Sequence, residues 1–282
     1  MARGGAAEDP RVSGRVYHLE LAPGDIPPYV LLPGDPGRVD RILSHWEDSR
    51  VVASHREYRS GRGVYRGVEL GAVSTGIGGS STAIAVEELA RVGVHTLIRV
   101  GTTGALVGDA GPGTLVIGAA AVRFDGASLE YAPPEYPAYA HPDAVAALVE
   151  AAERLGVSYR VGVVASTATF HLGQGRPGFR GYEWSESRRR LDDLKAMGVL
   201  SFEMEAATLY TLSSLYRLRS GCVCAVIANR VTGEFKPGAG VDDAIRVASE
   251  AARLLALLDR ERGGYRWEPA PPSLWARLLR EA

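Results

Sequence analysis

The stretch SFEMEAATLY, residues 201–210, sets two carboxylates, Glu203 and Glu205, around Met204. A short apolar run ends there and a helical pattern begins, with Leu209, Leu212 and Leu215 at helical spacing. A carboxylate accepts hydrogen bonds from two vicinal hydroxyls at once. Methionine covers an apolar ring face adaptably. Glu-Met-Glu at a strand end therefore suits a ribose. The plainer role for these acids is to cap the helix, whose free N–H groups and dipole favour negative charge, and one of the two is expected to do so. Arginines supply a second chemistry. Arg38 falls in the first turn of a helical pattern, Arg99 ends a strand pattern just before Gly101-Thr102-Thr103-Gly104, and Arg56 stands in SHREY. Guanidinium groups, a threonine hydroxyl and a helix N-terminus hold phosphate by charge-assisted bonds. Any one of these arginines alone reads as a surface ion pair. Together with a ribose cradle, and without a lysine or a metal motif, they suggest phosphate as a reactant.

These residues are carried by alternating strand and helix patterns. YVLLPG leads into DPGRVDRILSHW, where Asp35 is placed to cap and Pro36 to start a helix. VELGAVSTG precedes the helical STAIAVEELARVG, closed by Gly93. TLIRVG, TLVIGAAAVRF, RVGVVAST, GVLSF and CVCAVIA read as strands, while PDAVAALVEAAERLG and VDDAIRVASEAARLLALLD read as helices. The alternation predicts one α/β domain, three layers deep (α/β/α), around a largely parallel mixed sheet. Ligands on such sheets bind beyond the carboxyl ends of the strands. Four of those ends are polar or glycine-rich: 34–38, 75–79, 99–104 and 203–205. They are expected to gather along one edge. The glycine-rich loop GQGRPGFRGY, residues 173–182, is long enough to wall a site. Residues 1–14 read as a flexible leader, 15–260 as the catalytic domain, and 261–282 as an extension packing a small Trp/Leu helix on the surface.

Composition narrows the class. The chain has 282 residues, 46% hydrophobic and 23% charged, with a net charge of −1. No broad basic field invites nucleic acid or a membrane surface. No apolar run reaches the roughly 18–20 residues of a membrane span, and the N-terminus lacks a signal-peptide core, so a cytoplasmic address is expected. Lys195 and Lys236 are the only lysines, and neither completes a P-loop. Ser81 stands where a dinucleotide fingerprint needs its last glycine, which weakens that alternative. There is no Gly-x-Ser-x-Gly elbow and no His-Glu-x-x-His pair. Cys222 and Cys224 fit one face of a buried strand, as small hydrophobes rather than a disulfide or a zinc site.

The segments VLLPGDPGRV, SHREY, STGIGGSSTAIAVEEL, IRVGTTGA, VRFDGASLEYAPPEYP and FEMEAATLY closely resemble the nucleoside phosphorylase family with hexameric α/β subunits. The resemblance spans about residues 15–258 in consistent order. Within the family, TFHLGQGR and IANR are similar to the uridine phosphorylase branch. The purine branch usually carries Ser-Asp, its Asp serving as acid, where this chain has Asn229-Arg230. Two departures fall at the glycine-rich loop: His171-Leu172 replaces a more usual Tyr-Pro just before Gly173, and Pro177 follows Arg176 directly.

The resemblance implies roles. Gly34, Arg38, Arg99 and Thr102 would bind phosphate, with Arg56 completing the site from a neighbouring subunit. Met204 and Glu205 would hold ribose, with His18 reaching over from the neighbour. Phe170, Gln174 and Arg176 would hold uracil, with Arg230 close by. Arg99, Gln174, Arg176 and Glu205 would carry catalysis. Some members place a monovalent cation such as K+ between subunits, using residues that match Glu57, Ile77 and Ser81. No cofactor is required; inorganic phosphate is a co-substrate. The implied assembly is a trimer of dimers with shared sites. The implied activity is reversible cleavage of uridine by phosphate to uracil and ribose 1-phosphate. A purine or methylthioadenosine phosphorylase, sharing the phosphate and ribose residues, is the near alternative. A non-enzymatic nucleoside-binding module is the distant one.

Overall fold

A computed structural model describes residues 7–281. Of the expected leader, residues 1–6 lie outside the described residues. Arg11–Val12 (β1) pairs with Arg15–Val16 (β2) in a short hairpin. The main sheet has ten strands. In chain order they are β3 (Tyr29–Leu32), β4 (Glu47–His55), β5 (Tyr58–Tyr65), β6 (Val68–Val73) and β7 (Thr96–Ala105). There follow β8 (Leu115–Phe124), β9 (Ala138–Tyr139), β10 (Tyr159–Thr167), β11 (Ser201–Glu203) and β12 (Arg219–Asn229). The helices are α1 (Pro36–Leu43), α2 (Gly79–Arg91), α3 (Pro142–Leu155), α4 (Ser185–Ala196), α5 (Ala206–Tyr216), α6 (Val241–Glu261) and α7 (Pro272–Glu281).

The sheet order is β11-β10-β8-β12-β7-β3-β6-β5-β4, with β9 on the edge of β8. β3, β6, β7 and β12 run parallel to one another, as do β8, β10 and β11, while β4, β5 and β6 pair antiparallel. β8 meets β12 antiparallel, and β11 also pairs antiparallel with β7. The path β7-β12-β8-β10-β11 thus returns to β7, so this end of the mixed sheet closes on itself. That closure carries Glu203 against β7, where it pairs with Arg99. Arg99 lies within β7 rather than at the strand end that the sequence pattern suggested, because the strand runs on through Gly101–Gly104 to Ala105.

Alternation along each strand divides the core. Leu31, Ile98, Val100, Val223 and Ala225 face one side with α1, α3 and α6. Val30, Leu32, Leu97, Cys222 and Cys224 face the other with α2 and α5. Both cysteines are free and buried, with their sulfurs 3.6 Å apart. Asp35 caps α1 by accepting the Gly37 N–H, and Pro36 is the first helical residue, as the sequence predicts. α2 begins at Gly79, slightly ahead of its expected start. The hairpin β4–β5 and the helix α4 were not legible from periodicity. β4 is almost wholly exposed, and α4 buries only Ser187 and Leu194.

The extension after α6 is fastened to the end of the sheet where β7 and β12 begin. His141 Nε2 donates to the Trp267 carbonyl, while its Nδ1 accepts the Asp143 N–H and caps α3. Asp143 accepts the Ala270 N–H and the Trp275 indole N–H. Tyr265 stacks on His95 at 4.2 Å and donates to the Arg217 carbonyl. Leu278 of α7 joins the larger core, so the expected Trp/Leu helix is present.

Burial holds both histidines neutral, with His95 lowered to about 4 and His141 below its ordinary value. The folded chain therefore resists a proton that the unfolded chain accepts below about pH 6.5. Stability is full above that value and is lost as pH falls through it towards the folded values. For His95 alone the loss between pH 7 and pH 5 is on the order of 2 kcal/mol. Thermal melts at the two pH values should show a drop of several degrees that His95→Gln reduces. An equal drop in the variant would remove His95 as the cause.

Candidate active site

The predicted strand ends converge on one cleft of about 640 Å³. Gly34, Asp35 and Arg38 reach it from the β3–α1 turn, Arg99 and residues 101–104 from β7, and residues 202–205 from β11. Phe170, Gln174 and Arg176 come from the loop after β10, and Arg230 from the end of β12. Of the residues singled out for phosphate, ribose and base, this cleft gathers all but two.

Arg99 organises its floor. The guanidinium Nε donates to Glu203 at 2.9 Å, and Nη2 contacts Glu205. Neither bond uses Nη1. Gly101 makes the space, since a Cβ there would meet Arg99 Nη2 at 2.9 Å and Cys224 Sγ at 2.6 Å. The two acids divide their work. Glu203 also accepts the backbone N–H groups of Glu205 and Ala206 and the Ser166 hydroxyl, so it is the acid that caps α5. Glu205 accepts from the N–H of Gly78 and of Met204 while lining the cleft. Burial raises the Glu205 carboxyl, and the charge of Arg99 pulls it back down. Burial would likewise depress Arg99, but Glu205 and Glu203 outweigh it and hold the guanidinium charged.

Arg38 donates to the Val100 carbonyl at 3.2 Å. Its pKa is lowered by burial and then by the positive charge of Arg99. Two cations held near each other in a buried cleft are relieved by an anion between them. Thr102 lines the same region. A second cationic pair stands at the other end. Arg176 is lowered to about 10 by burial and then by Arg230. Its guanidinium lies 4.0 Å from the Phe170 ring centre and donates to the Phe170 carbonyl and to Gln174 Oε1. Arg230 donates to the Gln174 carbonyl.

His18 and Arg56 lie elsewhere, close to each other around Tyr17. His18 Nδ1 bonds Glu88 at 2.7 Å, and its backbone carbonyl meets His55. Arg56 is exposed in the β4–β5 turn, with its guanidinium 5.8 Å from the Tyr17 ring centre. Glu57 and Ser81 close around Gly76, within 2.8 and 3.2 Å of where its Cβ would stand, and the Ser81 hydroxyl faces the Ile77 carbonyl. These are oxygen donors of the kind a hard cation accepts. Among the described residues no cluster of three His, Cys, Asp or Glu side chains could hold a metal ion.

A model of the phosphorylase superfamily matches residues 28–260. The chain belongs to this superfamily. It is 54% identical over 268 residues to a uridine phosphorylase of Thermococcus kodakarensis, covering 94% of this chain and 96% of that protein. It is 42% identical to the uridine phosphorylase of Escherichia coli, covering 85% of this chain and 98% of that one. A guanosine phosphorylase of Halorubrum lacusprofundi is also 42% identical, over 80% of this chain and 88% of its own length. Membership in the superfamily thus leaves the base to be decided by the cleft.

One wall of this superfamily site was not anticipated from the sequence. Ile227, Ala228, Gly233, Glu234 and Phe235 line it, from the end of β12 and the loop that follows. Phe235 and Glu234 sit in a polar stretch with no periodicity to mark them. Asn229 is wholly engaged in shaping that loop. Its amide donates to the Val107 and Ala110 carbonyls and accepts from the N–H of Val231 and Thr232.

If Glu203 is the structural acid, Glu203→Ala strips Arg99 of one partner and leaves two N–H groups and a hydroxyl unpaired. Loss of one member of a buried ion pair costs about 3–5 kcal/mol. Urea unfolding should show a loss of that order, larger than for Glu205→Ala. Equal losses would mean that the two acids share the structural role.

Proposed function

We propose that this chain catalyses the reversible phosphorolysis of uridine to uracil and ribose 1-phosphate. One observation carries the reading. Arg38 with Arg99, Glu205 with Met204, and Gln174 with Arg176 line one cleft, and their chemistry suits phosphate, ribose and base respectively. Arg38, Arg99, Thr102 and the Gly34 turn would hold phosphate. Glu205 would accept from the ribose hydroxyls while Met204 covers the ring. Phe170 would pack on the base, with Gln174 and Arg176 on its polar edge and Arg230 behind them.

The C1′–N1 bond breaks with its electron pair passing to uracil. A phosphate oxygen forms the new bond to C1′, which is oxocarbenium-like between the two events. Glu205 and the bound phosphate face that positive charge. Arg176 and Gln174 face the negative charge growing on the base, so the repulsion between Arg176 and Arg230 is relieved as the reaction proceeds. Arginine stays protonated and serves by its charge. Uracil takes its proton from water after departure.

Arg56 and His18 belong to this proposal as residues given to a neighbouring copy. Both stand outside their own cleft, in one patch, and His18 is fixed by Glu88. The trimer-of-dimers hexamer, a cytoplasmic setting and a monovalent cation at Glu57, Ile77 and Ser81 go with the same reading. No cofactor enters it.

A purine nucleoside is the second reading, favoured by the guanosine phosphorylase relative and by Glu234. This exposed acid lines the cleft and accepts from the Thr232 hydroxyl. It is the remaining acid, because Asp35 caps α1 and Glu203 and Glu205 pair with Arg99. A uridine enzyme needs no acid there. We expect kcat/KM for uridine to exceed that for inosine by at least about 100-fold, since a site of buried polar groups rejects a ligand that leaves them unpaired. Gln174→Ala should narrow the ratio by harming uridine far more than inosine. Comparable turnover of both nucleosides by the unmutated enzyme would sink the uridine assignment. Base release equally fast without phosphate would sink phosphorolysis, and tight uridine binding with no ribose 1-phosphate would indicate a binding module.

Shared sites have their own test. Arg56→Ala and Arg38→Ala should each impair phosphate use. Mixed under conditions that exchange subunits, the two inactive proteins should recover part of the activity, because some clefts then draw both arginines from intact copies. Complete exchange without recovery would place both arginines in one subunit's site.

A further inference from the structure

Gln174 is the polar centre of the base end. It is 3% exposed, on a single tight turn, Leu172–Gln174. A primary amide is nearly symmetric in shape and opposite in polarity at its two ends. Which end faces which neighbour decides what it can read. Here both ends are pinned. Oε1 receives Arg176 Nη1 at 2.6 Å. Arginine has no acceptor, so oxygen must stand on that side. Nε2 donates to Thr167 Oγ1 at 3.1 Å. A hydroxyl could donate or accept, but this one directs its own proton to the Thr169 carbonyl at 3.2 Å. Its lone pairs are left for the amide. Thr167 is 1% exposed at the end of β10 and does not line the cleft.

We propose that Thr167 is a specificity-determining positioning residue, which locks the Gln174 amide in the polarity that accepts uracil and refuses cytosine. The proposal rests on the uridine reading above. Uracil carries a donor, N3–H, with a carbonyl acceptor on each side. The locked amide has one N–H and one lone pair to spare. It meets a carbonyl with Nε2 and N3–H with Oε1. Cytosine has a bare lone pair at N3, which would face Oε1, lone pair against lone pair. An amide free to turn would present Nε2 to that position instead. With the Thr167 acceptor gone, Arg176 alone holds the amide's polarity, so the amide turns more readily, which harms uridine and relieves cytidine.

The test compares kcat/KM for uridine and cytidine in Thr167→Val and Thr167→Ser. Valine keeps the shape and removes the acceptor; serine keeps the acceptor. Thr167→Val should lower the uridine-to-cytidine ratio at least about tenfold, with KM for phosphate unchanged, while Thr167→Ser keeps the ratio. If Thr167→Val does not fold, Thr167→Ala removes the same acceptor and carries the measurement. Equal losses on both nucleosides, an unchanged ratio, or a serine variant as indiscriminate as valine would overturn the lock. So would wild-type enzyme that cleaves cytidine as fast as uridine. Inosine cleaved as fast as uridine would instead overturn the uridine reading beneath it.

Discussion

Arg99, Glu203 and Glu205 form a buried charge cluster on which the cleft depends. Their side chains are 7%, 0% and 5% exposed. Burying charges is costly unless each is paired and its remaining hydrogen-bonding capacity is met. That demand is satisfied by groups from several elements. Gly78 lends an N–H from the start of α2, Ser166 a hydroxyl from β10, and Glu205 and Ala206 their N–H groups from the start of α5. β11 is held between β10 and β7 at the position where its acids meet Arg99. The closed end of the sheet and the charge cluster are thus one constraint seen in backbone hydrogen bonds and in charge pairing.

The cleft has a cationic pair at each end, and the two pairs differ in what answers them. Arg38 and Arg99 repel each other beside two carboxylates, which keeps Arg99 charged and leaves room for a compact anion. Arg176 and Arg230 have no such acid, and Gln174 between them offers a carbonyl and an amide oxygen. A charge present from the start suits the first pair. A charge that grows only as the glycosidic bond breaks suits the second. Glu205 and Met204 line the same cleft and are the groups there suited to a sugar.

Legibility followed the physics of each element. The parallel strands and their covering helices were readable because both faces are buried and the apolar runs are continuous. The polar strand ends were readable because glycine, threonine and arginine at the end of an apolar strand have little packing reason to be there. β4 and α4 escaped, since neither shows an apolar stripe when so little of it is buried. The Phe235 wall escaped because a loop leaves no period. Glu203 and Glu205 were equivalent by residue type and spacing, and only the resemblance singled out Glu205; in the structure the positions of Ser166 and Gly78 separate the cap from the cleft acid. His18 could be named from the family resemblance alone, and Arg56, legible as a third phosphate arginine, stands outside its own cleft, so only the resemblance gives it a place in a neighbour's.

The residues hardest to read are those that touch no ligand. Ser166 and Thr167 are neighbours at the end of β10, and side chains in a strand alternate between its faces. The Ser166 hydroxyl goes to Glu203 and accepts the Ala207 N–H, which ties the Glu203 carboxylate to the start of α5. The Thr167 hydroxyl goes the other way, to Gln174 and the loop after β10. One strand end thus reaches Glu203 and Gln174, two polar groups of the cleft, with two hydroxyls. In sequence they are two small polar residues closing a strand, as any solvated strand end would show. Their meaning is in the direction of each proton, which only the surrounding acceptors determine.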